Sequence, residues 1–438
     1  MNIVLLSGGS GKRLWPLSND IRSKQFLKLF KNEAGEYESM VQRVYSQILE
    51  ADADANVAIA TGKAQLSTIK NQVGEEVAVC VEPARRDTFA AIVLATAFLH
   101  SEQGVGLDET VVICPVDPYV DGDYFQALKE LYAFATDNDS NLSLMGVEPT
   151  SPSDKFGYII PETEEKYSRV EAFKEKPSVE IARDYIAQGA LWNCGVFAFR
   201  VGYLLEKAKE LIGFTSYIDL YNTYENVEKI SFDYAVVEKE TQIDVMRFAG
   251  QWKDIGTWDT FSEELPEQII GQGMLNDVCE NTHIINELNI PILGMGLKDF
   301  VVAASGDGIL ISKKEQSGDI KSYVNQWQDQ VMFAEKSWGR YEVMDMEPRS
   351  MTIKVTLNPG SKMNYHSHEH RDEVWTVISG KGSSVVDGMV EPISAGDVIT
   401  MQAGCKHMVF ADTELKIMEV QIGEEISVHD KKKYEWES

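Results

Sequence analysis

Residues 5–30 read LLSGGSGKRLWPLSNDIRSKQFLKLF. An apolar run ends in Ser7, Gly8, Gly9 and Ser10, and Gly11 follows. Lys12, Arg13, Arg22 and Lys24 come next, in a chain whose formal net charge is −28. Glycines after a strand let backbone N–H groups approach an anion with no Cβ in the way. A helix starting there would add its N-terminal dipole. Arg13 can grip a pair of phosphate oxygens, and Lys24 supplies a second charge. The stretch therefore predicts a phosphate cradle between a buried strand and a helix. Neither G-x-x-x-x-G-K-[ST] nor G-x-G-x-x-G occurs, so a Walker loop and a dinucleotide loop are unsupported.

Outward from this stretch, strand-like and helix-like segments alternate. NIVLLS and ANVAIATG read as strands, SMVQRVYSQILEA and TFAAIVLATAFLHSE as helices, and ETVVICPVDPYV as a strand ending in a loop. This βαβα rhythm predicts an α/β fold with a mostly parallel, Rossmann-like sheet. Ligands of such sheets sit at the carboxyl ends of the strands. From about residue 265 short strand candidates are punctuated by Gly, Asn and Asp. After about 330 short strands recur with turns between them, which predicts an all-β barrel or sandwich. The expected division is residues 1–265, a β-rich connector at 266–330, and a barrel at 331–438. No solenoid-period repeat is evident.

The chain has 438 residues, which suits two or three domains. Its acidity argues against nucleic acid or an anionic membrane as the main partner, while leaving room for phosphate ligands met by a local field. The five cysteines show no C-x-x-C spacing and read as reduced, in a cytoplasmic protein. No apolar run reaches membrane-spanning length.

LSGGSGKRLWPLSNDIRSKQFLKL resembles the signature of sugar-1-phosphate nucleotidyltransferases, specifically the mannose-1-phosphate guanylyltransferase group. The resemblance continues through EPARRDTFAAI (82–92), PVDPYV (115–120), FGYIIP (156–161), FKEKP (173–177), WNCGVFAFR (192–200), FDYAVVEK (232–239) and WKDIGTW (252–258). It implies transfer of a nucleotidyl group from GTP to mannose-1-phosphate, giving GDP-mannose and pyrophosphate. It assigns Gly8, Gly9, Gly11, Arg13, Lys24, Glu82 and Asp87 to the nucleotide. It assigns Gly157, Glu175, Asn193 and Asp233 to the sugar, and Lys176 to the sugar phosphate. Arg13, Lys24 and Lys176 would be the catalytic cations, and Asp117 and Asp254 would hold Mg²⁺. An already anionic phosphate oxygen needs little proton transfer, so the task is positioning and charge neutralisation. Three positions depart from the group's pattern: Asp87 stands for Asn, Pro118 for His and Ser23 for Pro. Asp87 keeps open a second reading, another nucleoside triphosphate or a manno-configured heptose-1-phosphate.

In PGSKMNYHSHEHRDEVWTVISGKG, His366 and His368 are two apart and point the same way on a strand. EHRD permits a turn, Glu373 opens the next strand, and GDVITMQAGCKHMVF adds His407. Three imidazoles and a carboxylate suit Zn, Mn, Fe, Co or Ni. The order G-x₅-H-x-H-x₄-E-x₆-G resembles the cupin signature. The whole chain thus resembles bifunctional type II enzymes that join a guanylyltransferase to a cupin phosphomannose isomerase. In those, Gln stands at the position of His366, three histidines run up to His370, and an Arg follows the last histidine. Here Met408 follows His407, and the tail is shorter. The expectation is a metal-binding cupin with weak or no isomerase turnover; the alternative is a non-catalytic module for sugar-phosphate binding or assembly. The resemblance also admits a homodimer.

Overall fold

A computed structural model describes residues 1–9, 11–326, 332–426 and 430–436. Ser10 and the expected boundary at 330/331 lie outside those residues. By their contacts the residues form two compact units: Met1–Ser10 with Gln25–Pro266, and Gly11–Lys24 with Glu267–Ser438.

The first unit is built on one nine-stranded sheet. Its strands are β1 (Asn2–Leu6), β2 (Asn56–Gly62), β3 (Ala78–Glu82), β4 (Thr110–Pro115), β5 (Leu142–Val147), β6 (Tyr158–Pro161), β7 (Tyr167–Lys174), β8 (Leu191–Arg200) and β9 (Ile243–Phe248). The spatial order is β3-β2-β1-β4-β8-β5-β9-β7-β6. β1 to β4 run parallel, as the alternating rhythm requires. The sheet is mixed beyond them. β8 lies antiparallel between β4 and β5, and β6 and β7 form a hairpin, which needs no crossover helix.

Helix α1 (Met40–Ala51) starts at Ser39, whose hydroxyl accepts from the Gln42 N–H while the Gln42 side chain accepts from the Ser39 N–H. This capping box satisfies two otherwise orphaned donors. A longer helix, Asp87–Glu102, is apolar on every face and packs inside the main core with Val4, Ala58 and Ile113 of the sheet. Its lack of a polar stripe is a consequence of that position. Each fully buried aliphatic side chain there contributes about 2 kcal/mol. Leu6 pairs with both Ala60 and Pro115, and Gly62 with Glu82. The segments carrying Gly8, Glu82 and Asp117 therefore leave the same edge of the sheet.

In the second unit, residues 269–313 form a short parallel coil. Ile284 pairs in parallel with Ile269 on one side and Val302 on the other, and Met274 pairs in parallel with Leu293. Gly308–Lys313 then folds back antiparallel on Phe300–Ser305. The rungs share no sequence repeat, so the coil is legible only as short strands. Beyond it lie a six-stranded and a five-stranded sheet, all antiparallel. Val355, Leu357, Trp375, Val377, Leu415 and Ile417 form their buried core. This is the expected cupin-like fold. Among the described residues, no helix is long and apolar enough to cross a membrane.

Candidate active site and metal centre

β4 ends at Pro115, Asp117 follows, and the expected loop instead forms a short strand, Pro118–Val120. It pairs with Trp252–Asp254 so that Asp254 faces Pro118. Three residues are too few to show strand periodicity in sequence. The pairing brings Asp117 and Asp254 to one cleft of about 240 Å³, which Gly157, Glu175, Asn193 and Asp233 also line. Six of the residues expected at the site thus share one cavity.

Asn193 sits where β8 shifts register against β5, two residues before Gly195, whose φ of 76° marks the bulge. The Asn193 backbone N–H donates to the Gly157 carbonyl at 2.8 Å. Its Nδ2 donates to Asp233 Oδ1 at 2.7 Å, and its Oδ1 accepts from the Gly195 N–H at 3.1 Å. A Cβ at Gly157 would meet Glu175 Oε2 at 2.6 Å, so only glycine lets this backbone pass the carboxylate. Glu175 is buried, and Glu238 anchors its backbone N–H at 3.0 Å. Burial, then the neighbouring Glu175 carboxylate, raises Asp233 to about 7. Lys176 pairs with Glu175 Oε1 and has φ 47°. For a residue with a Cβ that conformation costs about 1–3 kcal/mol. Burial works against its charge, yet the Glu175 hydrogen bond and carboxylate outweigh it and raise the Lys176 pKa.

Phe156 and Trp252 also line the cleft, with their rings 5.8 Å apart. Sequence reasoning passed over both, although they begin two of the quoted motifs, FGYIIP and WKDIGTW.

Among the residues expected to meet the nucleotide, a Cβ at Gly8 would lie 3.8 Å from Glu82 Oε1. Glu82 is buried, and its other oxygen accepts from the Tyr224 hydroxyl at 2.7 Å. Burial raises its pKa, against the effects of Tyr224 and Arg85. Asp87 opens its helix at φ 67°, and its carboxylate accepts from the Thr88 N–H at 2.8 Å. Gly9 has φ 133°. Among the described residues, no α-helix directly follows the glycines. Lys12–Leu14 and Lys24–Phe26 are single 3₁₀ turns, and Trp15 is extended at ψ 140°. Pro16 is the reason: its ring excludes the helical region for the residue before it, and it offers no N–H. The expected helix dipole is therefore absent from the cradle. Arg13 is exposed and Lys24 is half-buried, and residues 11–24 group by contact with the second unit, whereas Gln25 and Phe26 group with the first. Gly11 draws the two turns together, since a Cβ there would lie 2.5 Å from Ser23 Cα and 2.8 Å from the Lys24 nitrogen.

In the second unit, ligand nitrogens of His366, His368 and His407 lie within 4.8 Å of one another, all buried. Glu373 Oε1 is 3.0 Å from His368 Nε2, and Oε2 is 3.2 Å from His407 Nε2. Each Nδ1 meets a backbone carbonyl: Asn364 at 2.6 Å, Asp430, and Cys405 at 3.1 Å. That arrangement fixes the tautomer with Nε2 facing inward, as a metal ligand requires. His407 Nε2 is buried and, beyond the 3.2 Å approach of Glu373, makes no well-formed hydrogen bond among the described residues. The donor set therefore fits a transition metal. Burial, then the charge of Lys431, pushes the His366 pKa far down. Burial opposes ionisation of Glu373, but His368 and His407 hold its pKa well below the usual range. Glu373 is the third residue of the strand Arg371–Ser379 rather than its first. His370 is exposed. Met408, where the family carries Arg, is 1% exposed and packs with Tyr365 and Val385.

A mixed sheet with an acidic cleft of about 240 Å³ and a cupin-like barrel are the two parts of an enzyme whose class the family matches give. Residues 2–268 match the nucleotidyl transferase family, and residues 325–435 match the mannose-6-phosphate isomerase C-terminal family. The chain belongs to the nucleotidyl transferase family and has the two-part architecture of its bifunctional members. It is 28% identical to xanthan biosynthesis protein XanB of Xanthomonas campestris, covering 99% of this chain and 97% of that one. It is 27% identical to mannose-1-phosphate guanylyltransferase ManC of Salmonella typhimurium, again over 99% and 97%. A solved structure titled mannose-1-phosphate geranyltransferase, from Thermus thermophilus, superposes with a TM-score of 0.61 at 26% identity. It covers 74% of this chain and 98% of that one.

Proposed function

We propose that this enzyme transfers a guanylyl group from GTP to mannose-1-phosphate, releasing pyrophosphate and forming GDP-mannose. The observation that carries the reading is the single cleft shared by Asp117, Asp254, Gly157, Glu175, Asn193 and Asp233. Relatives called mannose-1-phosphate guanylyltransferase over nearly the full chain supply the substrate names. Glu175, Asn193 and Asp233 offer acceptors and a donor to sugar hydroxyls. Lys176 offsets the repulsion between two anionic reactants. Arg13 and Lys24 bind the triphosphate, with the N–H groups of Gly8, Gly9 and Gly11 beside them. Asp117 and Asp254 would hold Mg²⁺, which neutralises charge on the phosphate oxygens when bound. Pyrophosphate release across a panel of nucleoside triphosphates and sugar-1-phosphates tests the reading. Turnover is expected with GTP and mannose-1-phosphate, and release with no pair would refute it. Exclusive use of another base or a heptose would favour the second reading, which Asp87, standing where the group's pattern has Asn, motivates.

For the barrel, the reading is a metal-holding module with weak or no isomerase turnover. Its support is the buried Met408 where a phosphate-anchoring Arg would stand. Robust conversion of fructose-6-phosphate by the metal-loaded enzyme would overturn it.

A further inference from the structure

We infer that the connector holds the phosphate-binding segment in place, with Glu287 and Asp307 acting as positioning residues for nucleotide binding. This rests on the transferase reading above. Residues 11–24 contain little regular structure of their own, only 3₁₀ turns. What fixes them is a set of contacts from the parallel coil, all inside the second unit.

Arg22 donates from Nη1 and Nη2 to the two carboxylate oxygens of Glu287, both at 2.8 Å. The Arg22 side chain is 13% exposed, and its guanidinium lies 4.9 Å over the Phe333 ring. A two-pronged pair of this kind fixes direction as well as distance. Asn19 works on both sides of the joint. Its Oδ1 accepts from the N–H groups of Ile21 and Arg22 at 2.9 and 2.7 Å, closing the local turn. Its Nδ2 donates to Asp307 Oδ2 at 2.8 Å, while Asp307 Oδ1 takes the Met332 N–H at 2.9 Å. The Ser305 hydroxyl donates to the Pro16 carbonyl at 2.6 Å. The Trp15 ring lies so close to Gly308 that a Cβ there would come within 2.5 Å of it.

Arg22 is thereby committed to Glu287, and Lys12 pairs with Asp20 and Asn325. Arg22 is two residues before Lys24, and Gly11 ties the Lys24 backbone to the turn carrying Arg13. Rotating Arg22 therefore moves both phosphate ligands. A plain surface ion pair would add little stability and leave nucleotide affinity alone. A positioning role instead spends its effect on the bound geometry.

The test uses the full chain and the variants Glu287→Gln, Asp307→Asn and the exchanged pair Arg22→Glu with Glu287→Arg. Calorimetry with GTP and Mg²⁺, the KM for mannose-1-phosphate, and amide hydrogen exchange over residues 11–24 are read together. The single variants should weaken GTP binding by about three- to tenfold. Exchange should speed up within 11–24, the KM for mannose-1-phosphate should hold, and the exchanged pair should recover part of the affinity. Unchanged GTP affinity and unchanged exchange, with only a lower Tm, would overturn the inference. Wild-type protein that binds no nucleoside triphosphate would instead overturn the transferase reading, and the exchange result would still decide whether the tether exists.

Discussion

A methyl group added at Gly157 would come 2.6 Å from Glu175 Oε2 and 2.9 Å from Phe173 Cζ. Glu175 cannot retreat freely, since it is buried, its carboxylate pairs with Lys176 and its backbone is anchored by Glu238. Gly157→Ala should therefore raise the KM for the sugar phosphate by about tenfold or more, which steady-state kinetics would show. Asp233 gives a pH prediction. Its folded pKa is raised from 3.8 to about 7, so the folded state holds a proton the unfolded chain has released. The stabilisation from that proton is complete below 3.8 and lost as pH rises through about 7. The slope of Tm against pH across this window should flatten in Asp233→Asn, which keeps an acceptor for Asn193. A parallel slope in wild type and variant would contradict the assignment. At this scale the sequence is informative wherever a residue type is rare in its setting. Gly157, Asn193 and the two aspartates stand in ordered motifs and meet in one cleft. Arg22 shows the limit. It looks like Arg13 in sequence, but its partner lies 265 residues along the chain.

Among the elements, the strand His366–Ser367 joins distant parts of the barrel. His366 pairs with His407 on one side and with Lys433 on the other. Two imidazoles thus face each other through strand register rather than sequence proximity, while the Nδ1 carbonyl contacts orient all three. Metal bound only to the folded state stabilises it by mass action. Wild-type protein should gain Tm on adding Zn²⁺ or Mn²⁺ and lose it with a chelator. His407→Ala should lose that response in thermal melts and retain less metal by elemental analysis. The strand–turn–strand pattern and the ligand spacing were readable because period-2 alternation is short-range. The coil at 269–313 was not, because its parallel pairings join rungs with unlike sequences. The helix after the glycines failed as an expectation for a local reason already present in the sequence, Pro16.

For the whole molecule, the partition by contacts places residues 11–24, the proposed phosphate-binding segment, with residues that follow 266. A division at 265, natural from the change in rhythm, separates the segment from its supports. A chain ended after residue 326 keeps Glu287, Ser305 and Asp307 and should retain nucleotide binding within about threefold. A chain ended after residue 266 should bind GTP far more weakly even if its sheet folds, as circular dichroism and calorimetry on the pair would reveal. Equal affinity in both would show that the segment orients itself.

The closing stretch of the barrel touches its histidine cluster directly. Asp430 supplies the carbonyl for His368 and caps the N–H groups of Glu369 and His370, the latter at 3.2 Å. Six residues on, the Trp436 indole sits 5.0 Å from the ring of Tyr365, the neighbour of His366. An ion entering the cluster would stiffen this strand, so the indole's emission should change with occupancy, giving the protein a built-in optical reporter of its own loading.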